Sequence, residues 1–385
     1  MSNAVVIAPA RTAAEAEEAL ALATRVFSAQ SALAGYPEYK AALWKEDPAW
    51  EPGNVVLART DGGRLAGLIR IVPRTLFRMA QRYTVAGISS VCIDPEFRGR
   101  GLSVPLMEHA LEHARSRGLQ LALLIARRAA DHYYTRFGFW GVSSYNRATF
   151  RLETAGGSGQ AVAFADPGPR DFDMYAAAHV DSYAGCFGRF ERTPAYWRFL
   201  ASKLAAVNGM KWLTITLGGV AAGYVIFSGE TVHEIAYVAG VPAPELVRAL
   251  PAALQASGGI PLAFEIPPQH RLVRDMAHAD MTVSFRECSY GGHMVRILDV
   301  GAVADAYARR AADRYAAMGA GRMETMVDGI RIACDGESSR ATVVADGPSL
   351  SYAQTCCLLG SHTLSATPDG HDRMLPFNVS FPDQL

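Results

Sequence analysis

The chain has 385 residues, more than one hydrophobic core usually organises, so we expect two or three domains. Half of the residues are apolar and 19% are charged, a composition that excludes a disordered chain. Lys plus Arg and Asp plus Glu each number 37, so the balanced charge argues against nucleic acid as a partner.

Targeting and membrane segments are not visible in the sequence. No apolar run reaches the ~18–20 residues of a membrane helix, and the first 20 residues lack a basic region followed by an apolar one. The six cysteines form neither a CxxC pair nor a His/Cys cluster at zinc spacing. We therefore expect a cytoplasmic protein with no membrane contact, no metal and reduced, mostly buried thiols.

The first 152 residues predict an ordered series of helices and strands. Residues 13–27 have a helical period. VVLART and RLAGLIRIV predict two strands around the turn DGG, and VAGISSVCI predicts a third strand that ends at Asp94. A helix follows, with apolar positions 104, 107, 111 and 114, and the apolar strand LQLALLIA then belongs in the centre of a sheet. SYNRATFRLE predicts the last strand of this part.

Beyond the linker-like stretch ETAGGSGQ at residues 153–160, the same order of elements returns. LTIT, LGG and VAAGYVIF repeat the pattern of LART, DGG and RLAGLIRI, which indicates an internal duplication with a period of roughly 150 residues. A helix within residues 301–318 and short strand-like segments complete a small α+β part. The predicted domains are 1–152, 161–298 and 299–385.

The strongest functional motif lies between a predicted strand and helix, at Arg98-Gly99-Arg100-Gly101-Leu102-Ser103. Glycines let the backbone approach a ligand, and the helix start offers unpaired amides, so the segment could hold a pyrophosphate. A P-loop would need GK[ST], and a dinucleotide fingerprint would need glycine where Val104 stands. The pattern R-x-x-G-x-[G/A/S] does fit. The alternative is a glycine turn that only caps the helix.

This segment, from VCIDPEFRGRGLS through YYTRFGF, resembles the acyl-CoA-binding core of GNAT N-acetyltransferases. The resemblance implies acetyl-CoA as co-substrate, with the strand before the loop pairing with pantetheine and the loop amides holding the pyrophosphate. Ser103 stands where the family more often has Gly or Ala. The implied CoA-binding residues are Val91, Cys92, Ile93, Arg98, Gly99, Arg100, Gly101, Leu102 and Ser103.

The resemblance also assigns Tyr134 as the acid that protonates the departing CoA thiolate. A phenol within hydrogen-bond reach of that sulfur can supply the proton, and the alternative is aromatic packing in the core. Direct attack by the amine is expected, because no Cys or Ser is visibly paired with a base. Cys92 is the nearest thiol and is expected to belong to the core.

Over the whole chain, the sequence is similar to the enhanced-intracellular-survival family. That resemblance implies an α/β (α+β) fold of tandem GNAT domains, the second degenerate, followed by a sterol-carrier-like domain that walls off the active site or holds a lipid-like ligand. It also implies a homo-oligomer, commonly a hexamer, and a catalytic base at the carboxylate of Leu385. The terminal segment LPFNVSFPDQL is apolar enough to be tied into the fold.

His109, Glu112 and His113 match HxxEH, a zinc-protease signature, but they fall on the polar face of a helix, so we do not expect a metal there.

The motif and the resemblance together predict an N-acyltransferase that moves an acetyl group to a small-molecule amine such as an aminoglycoside or polyamine. Two alternatives stay open. One is the same core acting on another acyl thioester in natural-product tailoring, and the other is an inactive ligand-binding protein.

Overall fold

The computed structural model describes residues 5–29, 31, 33–78, 81–126, 130–141, 144–152, 162–168, 171–205, 209–254, 262–267, 269–277, 281–289, 293–317, 323–327, 329–334, 339–343 and 350–359. Its helices and strands build two large mixed sheets and one small antiparallel sheet. The predicted mixed α/β class is confirmed.

The first part of the chain contains β1 (Val5–Pro9), α1 (Ala13–Ser28), α2 (Tyr36–Lys45), β2 (Val55–Thr60), β3 (Leu65–Arg78), β4 (Gln81–Ile93), α3 (Ser103–Ser116), β5 (Leu121–Ile125), α4 (Asp131–Thr135) and β6 (Ser144–Leu152). Helix α1 begins at a capping box, in which Thr12 and Glu15 bond each other's backbone. Its alanine-rich buried stripe packs α1 closely against β2 and β3.

The middle part contains β7 (Val162–Ala165), α5 (Phe172–Tyr183), β8 (Phe187–Phe190), α6 (Pro194–Ala205), β9 (Lys211–Leu217), β10 (Val220–Ser228), β11 (Thr231–Tyr237), α7 (Ala243–Ala253), β12 (Leu262–Glu265), α8 (Arg271–Met276), β13 (Met281–Ser289) and β14 (His293–Ile297). The last part contains α9 (Val300–Ala317), β15 (Met323–Val327), β16 (Ile330–Cys334), β17 (Ser339–Val343) and α10 (Tyr352–Leu359).

The two large sheets repeat one topology. The first runs β1-β2-β3-β4-β5-β14, and the second runs β7-β9-β10-β11-β12-β6 with β13 beyond β6. In each, the fourth and fifth strands are parallel and all other neighbours in these runs are antiparallel. Gly67 on β3 and Gly223 on β10 occupy matching places, where a side chain would collide with the next strand.

The sheets exchange their last strands, which departs from the boundaries that we predicted. Residues 144–152 were expected to close the first domain, but β6 lies in the second sheet between β12 and β13. Strand β14 was assigned to the second domain, but it pairs with β5 of the first sheet. Both β5 and β12 offer an apolar edge that needs an antiparallel partner, so the hydrophobic pattern alone does not decide which strand joins which sheet.

Two further contacts join the parts of the chain. Strand β8 pairs with the end of β3, so the middle of the chain adds a strand to the first sheet. Helix α9 packs its buried face on β5 and β14, and Arg310 of that helix donates to the hydroxyl of Tyr83 at 2.8 Å. None of the described helices is long and apolar enough to cross a membrane.

Candidate active site

Strands β4 and β5 separate as they run toward the glycine-rich loop. They pair only over Val85–Gly87 and Leu121–Leu123, while β4 continues to Ile93. Over the described residues, the edge of β4 beyond Gly87 therefore has no strand partner on the β5 side. Val91 and Ile93 pack toward α3, whereas Cys92 is buried on the opposite face, toward α1. Among the described residues, the two strands thus leave a slot between them, with the backbone of β4 at its wall.

The slot leads into the predicted phosphate loop. Gly99 and Gly101 both have φ near +74°, a left-handed conformation that suits glycine, and no atom lies within 4 Å of where a side chain would begin. No described side chain caps the first turn of α3. Arg98 and Arg100 are exposed, and their side chains bond the carbonyls of Ile93 and Glu96. The loop thus presents two exposed cations and the uncapped amides of a helix start.

Tyr133 and Tyr134 on α4 face the start of α3 in different ways. The hydroxyl of Tyr133 donates to the carbonyl of Ser103 at 2.8 Å and so ties α4 to the loop. The hydroxyl of Tyr134 makes no hydrogen bond to any residue that the structure describes, while its ring contacts Tyr133 and Phe139 edge-on. Burial raises the pKa of Tyr134 to about 12, so its proton is retained at neutral pH.

A β-bulge interrupts β4 near its C-terminal end. The β3–β4 register shifts here, and Ser90 has φ 52°, the only positive value of a non-glycine residue in the described part of the chain. Lys40 of α2 donates to the Ser90 hydroxyl at 2.8 Å and is 8% exposed. Burial, with help from the charge of Arg70, lowers the pKa of Lys40 to about 8. Sequence analysis missed both residues.

A cavity of about 200 Å³ opens beside this bulge. It lies between α2, the first sheet and α6, so two parts of the chain build it. The polar and charged residues that line it are Tyr39, Lys40, Asp47, Arg70, Arg74, Ser89, Tyr196 and Lys203. An outer cavity of about 470 Å³ shares Tyr39, Leu43, Phe199 and Lys203 with it and adds Glu38 and Glu46.

The remaining candidates take other places. Cys92 is 6% exposed, and burial raises its pKa to about 12, which leaves the thiol inert at neutral pH. The Nε2 of His113 donates to the carbonyl of Gly53 and Glu112 pairs with Arg115, so two of the three HxxEH residues are engaged elsewhere. No cluster of three metal-ligating side chains occurs in the described residues. Leu385 lies outside them.

Residues 9–143 match a family described as an acetyltransferase (GNAT) domain, so the first part of the chain contains a domain of that type. An uncharacterized N-acetyltransferase of Methanocaldococcus jannaschii is 36% identical over 62 residues. That match covers 15% of this chain and 27% of the relative, so the chain spans only about a quarter of the relative's length.

Solved structures share the fold over most of the chain. A probable N-acyltransferase of Enterococcus faecalis has a TM-score of 0.61 at 15% identity and covers 90% of this chain and 86% of its own. A GCN5-related N-acetyltransferase of Anabaena variabilis has 0.59 at 14%, with coverages of 89% and 86%. Eis1 of Mycobacterium abscessus has 0.56 at 19%, with coverages of 88% and 85%. At these identities the likeness concerns the fold.

Proposed function

We propose that the protein is an N-acetyltransferase that moves an acetyl group from acetyl-CoA to a primary amine of a small molecule. One observation carries this proposal: the slot between β4 and β5 runs into a loop with two left-handed glycines, and a phenol without a described partner lies on α4, which Tyr133 ties to the start of α3. The match of residues 9–143 to an acetyltransferase domain supports the same reading.

Different residues would bind the acetyl donor and carry out the proton transfer. Backbone groups of Val91, Cys92 and Ile93 would hold the pantetheine arm, and the amides of residues 99–103 with Arg98 and Arg100 would hold the pyrophosphate. The acceptor nitrogen forms a bond to the acetyl carbon, and the carbon–sulfur bond breaks. Tyr134 donates its proton to the departing sulfur. The amine loses its own proton to a base.

The carboxylate of Leu385 remains our proposal for that base, because a fixed carboxylate near an amine can orient it and accept its proton. The part from residue 299 onward would then act as a sterol-carrier-like wall of the site, and the chain would assemble as a homo-oligomer. A C-terminal tag should displace the carboxylate and lower turnover severely with near-normal CoA affinity. A fully active tagged enzyme would remove Leu385 from the mechanism.

Thiol release from acetyl-CoA in the presence of amines tests the central proposal. The amine panel includes an aminoglycoside, a polyamine and amino acids, and acetylated product is identified by mass. Release that depends on an amine supports the proposal. Release only with a different acyl-CoA would point to another acyl donor, and a protein that binds CoA but releases no thiol would be an inactive binder.

A further inference from the structure

The inner cavity beside the β4 bulge has an unusual charge balance. Lys40, Arg70 and Arg74 line it together with one carboxylate, Asp47, and Lys203 adds a cation from α6. The first three cations and Asp47 have side chains that are less than a tenth exposed. These four buried groups together carry a net charge of +2.

Asp47 is fully engaged by the two arginines. Arg74 binds both of its oxygens at 3.0 and 2.9 Å, and Arg70 donates to one of them at 2.7 Å. Burial by itself would raise the pKa of Asp47, but the ion pairs with Arg74 and Arg70 outweigh it and hold that pKa below its usual value. Asp47 therefore bonds both guanidinium groups, but its single negative charge neutralises only one of their two positive charges.

Donors remain in the lining after these contacts are made. The Nε atoms of Arg70 and Arg74 are buried and find no acceptor among the described residues. Lys40 bonds one hydroxyl, that of Ser90, although an ammonium group has three hydrogens to donate. Buried N–H groups without acceptors and a buried excess of positive charge are both costly, and an anion that enters the cavity supplies the charge and further acceptors.

The cavity adjoins the strand whose edge borders the slot. Its lining residues Arg70, Val72 and Arg74 belong to β3, and Ser89 of β4 lies beside the bulge at Ser90. The volume of the cavity is about 200 Å³. That space suits one end of a small molecule. A polycationic drug would meet like charges there.

We propose that the acceptor is a primary amine that carries an anionic group, a carboxylate in the simplest case, and that Lys40, Arg70 and Arg74 bind this group. This inference rests on the proposed acetyl transfer and names its substrate class. The outer cavity with Glu38 and Glu46 would receive the part of the substrate that extends away from the anion.

Binding to the full-length protein tests the proposal independently of catalysis. Titration calorimetry compares amino carboxylates with their uncharged amides, γ-aminobutyrate against its amide and phenylalanine against phenylalaninamide, with spermidine as a cationic reference. We expect at least one carboxylate to bind about 10- to 100-fold more tightly than its amide, the scale of one charge-assisted hydrogen bond. Equal binding of both members, preference for spermidine, or no binding of any amino carboxylate would overturn it.

A variant pair on one helix provides the control. Lys40→Met should lower carboxylate affinity about 10- to 100-fold and leave the amide unaffected. Lys45→Met, whose side chain is 54% exposed and pairs with Glu17, should change neither. Replacing a buried cation by an apolar chain of similar length need not destabilise a fold, so we expect Lys40→Met to fold. Its melting temperature verifies this.

Turnover separates this inference from the function beneath it. Acetyl-CoA consumption with a bound amino carboxylate supports both. Carboxylate binding that requires Lys40, without any thiol release, would refute the acetyl transfer and keep the anion site. Thiol release with cationic amines alone would refute the anion site and keep the transfer. A requirement for a carboxylate on the acyl donor, tested with succinyl-CoA, would also refute it.

Discussion

At the scale of single residues, Tyr134 gives the sharpest test, because the neighbouring Tyr133 has the same side chain but its hydroxyl already bonds Ser103. Tyr134→Phe should lower turnover by roughly 10²–10³-fold, since a positioned acid is lost, and should leave CoA affinity nearly unchanged because the ring remains. Tyr133→Phe removes the bond to Ser103 and should lower thermal stability with only a modest effect on turnover. Steady-state kinetics that show the reverse order would assign the acid to Tyr133.

The loop residues allow a second test by calorimetry. Arg98→Ala removes an exposed cation and should weaken acetyl-CoA binding without unfolding the protein. Gly101→Asp should weaken it more, because it adds a carboxylate and forces a side chain into a left-handed backbone at φ 74°. Arg82→Ala removes an exposed cation that pairs with Glu191 outside the loop, so it serves as the control. Unchanged affinity in both test variants would show that the loop holds no phosphate.

Single residues also show where sequence reasoning ended. The glycines and tyrosines of the candidate site belong to contiguous motifs, so their order in the chain was sufficient to propose them. Lys40 and Ser90 are 50 positions apart and meet only because a bulge turns Ser90 toward α2. The one available signal was the scarcity of lysine, since Lys40 is one of four in 385 residues. Nothing in the spacing predicted its partner.

At the scale of elements, a buried histidine on β14 should make the stability of the fold depend on pH. Burial lowers the pKa of His293 on this strand to about 4, while an unfolded histidine titrates near ~6.5. Between these values the unfolded chain binds a proton that the folded chain does not, so stability falls as the pH falls, by about 1.4 kcal/mol per unit. Denaturant unfolding of His293→Gln should show a shallower loss than wild type across this window, whereas His109→Gln, exposed on α3, should match wild type. Parallel curves for all three proteins would contradict this.

The exchanged strands predict how the chain can be divided. A fragment that ends within residues 153–160 leaves β5 without β14 and carries β6 without β12 or β13, so it should aggregate when expressed alone. Co-expression with the remaining fragment should restore a soluble complex, because every strand then has its partner. Size-exclusion chromatography compares the two cases. A soluble, monomeric first fragment would show that the exchange is dispensable.

The existence and order of most of these elements were predictable, and their pairing was not. Periodicity located β2 to β6 and β9 to β12, but it missed β1, β7 and β8 and gave one strand where β13 and β14 stand. The similarity between LAGLIRI and AAGYVIF aligned two glycines at matching places. Strand pairing depends on which apolar edge is open in three dimensions, and β5 and β12 present equivalent edges. A pattern read along the chain could not separate them.

At the scale of the whole molecule, we predict that each chain binds one CoA, although its two large sheets share one topology. Pro242 stands at the N-cap of α7 and Pro244 in its first turn, and neither has the amide hydrogen that a phosphate needs. The face of the second sheet under α5 and α6 is filled by aromatic side chains and by Arg192, whose guanidinium binds Glu234 at 2.6 and 2.8 Å. Titration calorimetry of the full chain should give a stoichiometry near one, and two equivalent sites would contradict this account.

The strand exchange has a consequence for synthesis on the ribosome. Strand β6 ends at residue 152 and its neighbour β12 begins at residue 262, so 110 residues, 262 minus 152, must be made before that partner exists. At ~5–20 residues per second, the nascent strand waits roughly 6–20 seconds. During that time Ala148 and Phe150, which are buried in the folded chain, have no sheet to join. The strand exchange therefore ties the completion of the first sheet to translation of the second, and the emerging chain carries unpaired strands throughout this interval.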